Sequence, residues 1–148
     1  MSKTHVNYNI VVEELSKGLT DLDSKDNPFT DRYGPKALSE FRTIRYGTGR
    51  QTGLTDFGVE LAKNHKGKVL FVNPKGFLED DVLFRLGLED LPENITQIIG
   101  YQMGTEKEKY SLVIVDNAGV FFSIFRYMKF FRLLANSVTK DVVIHLMG

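Results

Sequence analysis

Residues 41–55 read FRTIRYGTGRQTGLT, a short run with apolar positions followed by a glycine-rich segment. Residues 41–46 predict a β-strand, and residues 55–64 predict a helix. Glycines between a strand and a helix permit a tight turn that brings backbone amides close together. This stretch therefore predicts the first unit of an alternating β-α fold.

The rest of the chain continues this alternation. Three further runs are rich in Val, Ile, Leu and Phe, as is typical of buried parallel strands. The predicted strands are 68–73, 110–115 and 141–147, with a weaker one at 95–99, and the predicted crossover helices are 79–86 and 120–136. This order favours an α/β fold with three layers and a mostly parallel sheet of four to five strands.

Residues 1–40 predict a leader in two parts. Residues 9–19 carry apolar side chains at helical spacing, which predicts a short amphipathic helix. Residues 21–36 are rich in Asp, Ser, Asn, Pro and Gly, a composition that is typical of a loop. We therefore expect a leader over 1–40 and one main domain over 41–148.

Charge and composition limit the functions open to the chain. Nineteen basic residues balance nineteen acidic ones, so the summed charge gives no long-range attraction to nucleic acid or to anionic membrane. The sequence has no cysteine, which excludes thiol catalysis and cysteine-ligated metal centres. The most apolar stretch, residues 119–138, contains Arg126, Lys129 and Arg132, which favour a helix of the domain over a membrane span. We expect a cytoplasmic protein without a membrane partner.

A glycine-rich loop between a strand and a helix is the setting in which many proteins bind phosphate. The loop amides and the helix amino terminus present N–H groups and partial positive charge. The consensus GxxxxGK[ST], laid over residues 48–55, matches at Gly53 and Thr55 and differs at Thr48 and Leu54. The candidate nucleotide-binding residues of this loop are Gly49, Arg50, Gln51, Thr52, Gly53 and Thr55.

Leu54 stands where the consensus has a lysine, whose charge offsets that of the β- and γ-phosphates. Arg42, Arg45 and Arg50 are the candidates to supply a cation from another direction. The alternative is that the segment is only a tight strand-to-helix turn with an arginine on the surface.

A second feature points to the same chemistry. Residues 112–115 form an apolar run that is directly followed by Asp116. This is the pattern of a strand whose aspartate holds magnesium beside a phosphate loop. Asp116 and the glycine loop would both lie at the carboxyl ends of parallel strands, where such folds bind ligands. We expect Thr55 and Asp116 to hold Mg²⁺, with ATP as the candidate nucleotide.

The sequence resembles the additional-strand, catalytic-glutamate class of P-loop NTPases, and in particular the ATPase domains of phage terminase large subunits and related helicases. The residues that carry the resemblance are RQTGLT at 50–55, VIVDN at 113–117 and, more weakly, VVIHLMG at 142–148. In that family a glutamate that activates water follows the aspartate, but Asn117 stands there, and an amide is no general base. The resemblance implies a nucleotide-binding architecture of phage or mobile-element ancestry in which hydrolysis is disfavoured.

The predicted helix at 120–136 carries more aromatic side chains than one buried face needs. Helical spacing puts Phe121, Ile124, Phe125, Met128, Phe131 and Ala135 on the face toward the core. The remaining aromatics lie near a basic stripe, and this combination favours a protein or nucleic-acid contact. The candidate partner-binding residues are Phe122, Arg126, Lys129, Phe130 and Arg132. The alternative is that a second layer, such as the amino-terminal helix, covers them.

Three functions are compatible with these patterns. The first is a non-catalytic P-loop-like pseudo-ATPase that acts by binding a protein or nucleic-acid partner, such as an ATPase or a nucleic-acid machine. The second is a slow ATP hydrolase, linked to DNA processing, in which Arg50 replaces the missing lysine. The third is a nucleic-acid-binding module, against which the net neutrality of the chain counts.

Overall fold

The structure is a computed structural model that describes residues 6–47, 53–73, 92–99 and 109–148. Strands form at the five places where the sequence predicts them. These are β1 (Thr43–Tyr46), β2 (Val69–Asn73), β3 (Ile95–Ile99), β4 (Tyr110–Val115) and β5 (Val138–Met147). The helices in the described residues are α1 (Tyr8–Ser16), α2 (Pro35–Phe41), α3 (Leu54–Asn64), α4 (Ala118–Ile124) and α5 (Tyr127–Leu134). The predicted helix at 79–86 lies outside the described residues.

All five strands are parallel and follow the order β1-β5-β4-β2-β3. The register pairs Ile44 with His145 across β1 and β5, and Val72 with Val115 across β2 and β4. Because the strands are parallel, they all end at one edge of the sheet, which we call the carboxyl edge. The predicted α/β class with a parallel sheet is confirmed.

Two element boundaries differ from the prediction. Phe41 was expected to begin the first strand, but it ends α2, and β1 starts at Thr43. Pro35 in the first turn favours a helix start because its fixed φ suits that position. Val138 pairs with Tyr110, so β5 begins three residues before the predicted strand start.

The prediction of one helix over 120–136 was wrong. Phe125 and Arg126 have extended backbone angles, so α4 ends and α5 begins with a new rotational phase. Two side chains assigned to the core face are therefore exposed: 71% of Ile124 and 39% of Met128 are accessible to solvent. The break lets Phe121 stack on Phe125 with ring centres 5.3 Å apart and also contact Phe130 at 5.5 Å.

Side chains of alternating strand residues build two hydrophobic clusters on opposite faces of the sheet. One contains Leu70 and Val72 with buried side chains of α2, α4 and α5. The other contains Val69 and Phe71 with buried side chains of α1 and α3. Helices thus cover both faces of the sheet in three layers.

Residues 6–40, the described part of the predicted leader, contribute to both clusters. Tyr8 packs against Tyr46 and Phe57, whereas Leu22 and Leu38 lie in the cluster on the other face. The layer that packs against α5 is α2, while α1 contacts β1. Among the described residues, no helix has both the length and the apolar character needed to cross a membrane.

Candidate functional site

Thr55 and Asp116 meet at the carboxyl edge. Asp116 directly follows β4 and is 2% exposed, and Thr55 lies in the first turn of α3. The Thr55 hydroxyl donates a hydrogen bond to the Asp116 carboxylate, with its oxygen 3.3 Å from both carboxylate oxygens. The Asp116 backbone N–H donates to the Val72 carbonyl at 3.0 Å, which fixes the residue beside β2. The structure therefore brings together the two side chains that the sequence assigned to magnesium.

Gly53 directs the chain into this site. Its φ of 81° and ψ of 15° lie in the left-handed region that favours glycine. Its carbonyl accepts the first hydrogen bond of α3, from the Phe57 N–H at 2.9 Å. Asp56 in the first turn suits the helix dipole. Of the other predicted loop residues, Gly49, Arg50, Gln51 and Thr52 lie outside the described residues.

Leu54 packs onto the ends of β1 and β5. Gly47 has a φ of 106°, and a Cβ atom added there would collide with the Leu54 side chain. Gly148, with a φ of 90°, also lies close to the Leu54 side chain. The side chain at the consensus lysine position is therefore a packed apolar group, and it supplies neither charge nor a hydrogen-bond donor.

Asn117, which follows Asp116, forms the turn into α4. Its φ of 53° and ψ of 52° are left-handed, a conformation that asparagine adopts more readily than most residues. Its carbonyl accepts a hydrogen bond from the Phe121 N–H at 3.0 Å. Asn117 is exposed, so its side chain is open to solvent beside the buried Asp116.

The donor set at this edge fits a magnesium-bound phosphate. The Thr55 hydroxyl and the Asp116 carboxylate are hard oxygen donors, which Mg²⁺ prefers. Within the described ranges, no group of three or more acidic or histidine side chains could enclose a metal ion. Magnesium usually keeps several waters and binds through one or two carboxylates together with substrate phosphates. The pair therefore suits Mg²⁺ that arrives with a phosphate ligand.

A buried histidine pairs with a tyrosine near this edge. His145 Nδ1 lies 2.7 Å from the Tyr46 hydroxyl, and the two rings meet edge to face with centres 5.6 Å apart. Burial lowers the pKa of His145 to about 4, and the charge of His65 acts in the same direction. Burial also raises the pKa of Tyr46. Both side chains are therefore uncharged at neutral pH.

This pairing predicts an acid-dependent loss of stability. The unfolded state takes up a proton on His145 near pH 6.5, but the folded state does so only near 4. The free energy of unfolding should therefore fall as pH decreases from 6.5 to 4, by up to about 3 kcal/mol from this residue. His145→Gln should keep the contact with Tyr46 and reduce that slope. Urea unfolding at several pH values measures it, and equal slopes in the two proteins would contradict the assignment.

The predicted partner-binding residues divide between surface and core. Arg126, Lys129 and Arg132 are exposed, Phe122 is half-buried, and Phe130 is fully buried in the cluster that packs beneath α2. Lys129 Nζ lies 5.4 Å from the centre of the Phe125 ring. Sequence reasoning missed the exposed apolar side chains of these helices, which are Val120, Ile124, Tyr127 and Met128. They became recognisable only with the break between α4 and α5.

No family model matches the sequence, and no curated protein is significantly similar to it.

Proposed function

We propose that this chain is a P-loop-type pseudo-ATPase that binds a magnesium nucleotide at its carboxyl edge and acts through a macromolecular partner. The observation that carries the proposal is the contact between Thr55 and Asp116. In P-loop NTPases a hydroxyl of the loop and an aspartate at a strand end together hold the magnesium ion. Here they come from α3 and from the end of β4, the two places that this architecture requires.

The strand order supports the same proposal. The additional-strand class takes its name from a strand inserted between the phosphate-loop strand and the aspartate strand, and β5 lies between β1 and β4. The connection after β1 contributes α3 to one face, while the connection after β4 contributes α4 and α5 to the other. Parallel sheets bind ligands at the carboxyl edge where connections diverge to opposite faces, and here β5 lies between the two strands whose connections diverge.

Two residues argue against rapid hydrolysis. Leu54 replaces the cation that stabilises the transferring phosphoryl group, and Asn117 replaces the general base. Thr55 and Asp116 would hold Mg²⁺, which when bound neutralises phosphate charge. The residues of this chain would then bind and orient the nucleotide without activating a water molecule.

Titration of the protein with a fluorescent ATP analogue tests the proposal. We expect saturable binding with MgCl₂ that EDTA weakens at least about tenfold, because the Thr55–Asp116 pair acts through the metal. Phosphate release from ATP should stay at the level of a protein-free blank. Absence of binding at millimolar nucleotide would reject the proposal. Phosphate release that requires both Arg50 and Asp116 would favour the slow hydrolase instead.

A second candidate function is partner binding by the surface of α4 and α5. Ile124 is the most exposed of its large apolar side chains, and Arg126, Lys129 and Arg132 are also exposed in this segment. Apolar side chains among cations suit a partner with apolar and acidic side chains, because burial and charge then act together. An ATPase subunit, a DNA-processing machine or a nucleic acid are the partners that the family resemblance suggests.

Replacing Arg126, Lys129 and Arg132 together with alanine should leave the fold intact, because all three side chains are exposed. If the partner is a nucleic acid, the variant should bind single-stranded DNA more weakly, and the salt dependence of binding should become shallower. Fluorescence anisotropy at several salt concentrations measures both. Ile124→Asp is the matched variant for a protein partner. A partner that the unchanged protein captures should be absent from captures with this variant when both are analysed by mass spectrometry. If neither variant changes any interaction, this surface is not the docking site.

A further inference from the structure

Two side-chain amides are linked across β2 and β3, one from Asn73, the last residue of β2, and one from Gln97, the third of the five residues of β3. Gln97 donates a hydrogen bond from Nε2 to Asn73 Oδ1 at 2.6 Å. Asn73 is only 1% exposed. Neither Asn73 Nδ2 nor Gln97 Oε1 has a hydrogen-bond partner among the described residues, and both atoms are buried. Buried polar atoms normally find partners, which makes this unpaired amide a candidate to bind a ligand.

The position of Asn73 places this amide beside the Thr55–Asp116 pair. Val72 pairs with Val115 across the neighbouring strands β2 and β4. Asn73 and Asp116 each come one residue after this pair, at the carboxyl edge. Phe71 and Ile114, two residues earlier, both lie in the cluster on the α3 face. The two-residue alternation of a strand puts the Asn73 side chain on that same face. Thr55 reaches Asp116 from that face as well, because it belongs to α3.

We propose that Asn73 is a third ligand-binding residue of this site, whose Nδ2 donates a hydrogen bond to a phosphate oxygen of a magnesium-bound polyphosphate. Gln97 holds the amide in place through its bond to Oδ1. The inference rests on the proposed nucleotide site and names a further residue of it.

The chemistry of the site explains the need for such a donor. An ionised carboxylate only accepts hydrogen bonds, so Asp116 cannot contact phosphate oxygens directly without repulsion. Leu54 has removed the donor that the consensus lysine supplies. The Asn73 amide is a neutral donor that is already desolvated, so it loses no water when the ligand arrives.

Asn73→Asp tests the proposal because it keeps an acceptor for Gln97 and replaces the donor with a carboxylate oxygen. Calorimetric titrations with magnesium ATP and with magnesium tripolyphosphate should both show affinity reduced at least about tenfold. Asn64→Asp is the matched control, since it makes the same charge change at an exposed residue at the far end of α3. Its affinities should equal those of the unchanged protein. Asn73→Leu serves as the second variant if the aspartate variant fails to fold.

NMR of the Asn73 side-chain amide distinguishes a ligand-binding residue from a purely structural one, because only the former contacts the ligand. The Asn73 side-chain NH₂ signals should shift when magnesium tripolyphosphate binds. Unchanged affinity in folded Asn73 variants would overturn this inference and leave the nucleotide proposal standing. Weakened binding of ATP alone would overturn the assignment to phosphate. Absence of ATP and tripolyphosphate binding to the unchanged protein would overturn the proposed function and this inference together.

Discussion

Asp116→Ala should weaken magnesium-ATP binding about 100-fold, the loss expected when a charged ligand to a bound metal is removed. Asp116 is buried and accepts the hydrogen bond of the Thr55 hydroxyl. The variant therefore removes one proposed metal ligand and the group that orients the other. Isothermal titration calorimetry with and without MgCl₂ measures the effect, and the loss should be confined to the magnesium condition.

Asp116→Asn separates charge from shape. It keeps the size of the side chain and an acceptor for Thr55, so a loss of affinity in this variant reports the missing negative charge. Asp141→Asn makes the same change at an exposed residue of β5, and its affinity should not change. Magnesium-dependent affinity in Asp116→Asn equal to that of the unchanged protein would show that this carboxylate holds no metal.

Phe130→Ala should lower the free energy of unfolding by about 3–5 kcal/mol, the usual cost of emptying a buried phenylalanine site. Phe130 is 0% exposed and contacts the rings of Phe121, Phe122 and Phe131. Its loss leaves a cavity in the cluster between the sheet and α2. Urea unfolding followed by circular dichroism measures the change.

Ile124→Ala is the matched control for this prediction. Ile124 would share the core face of one continuous helix, but the break at Phe125 leaves it exposed. Its substitution should therefore change the free energy of unfolding by no more than about 0.5 kcal/mol. A cost for Ile124→Ala as large as that for Phe130→Ala would mean that α4 and α5 form one helix.

Local patterns predicted the elements that the sheet requires. Runs such as residues 110–115 are buried on both faces and therefore read as continuous apolar strands. The proximity of Thr55 and Asp116 followed from one rule, since the carboxyl ends of parallel strands lie at one edge. The rule worked because Asp116 directly follows β4 and Thr55 lies in the first turn of the helix that comes after β1 in the chain.

The remaining features depend on tertiary contacts. Phe125 and Arg126 carry no glycine or proline signal, so the local sequence does not mark the break, which brings Phe121 into contact with both Phe125 and Phe130. Asn73 is the last residue of an apolar run, and only the register with β4 places it beside Asp116. The sequence shows only that Leu54 replaces the consensus lysine, whereas the structure shows that its side chain packs against Gly47. Strand order and register cannot be read from local patterns.

The central claim is that a magnesium nucleotide binds between α3 and the end of β4. Manganese can replace magnesium in such sites and broadens the NMR signals of nearby amides. Addition of substoichiometric manganese ATP should broaden the signals of Thr55, Asp116 and Asn117 first, while those of Tyr110 and Val138, at the opposite edge of the sheet, stay sharp. Uniform broadening, or broadening centred away from Thr55 and Asp116, would contradict the claim.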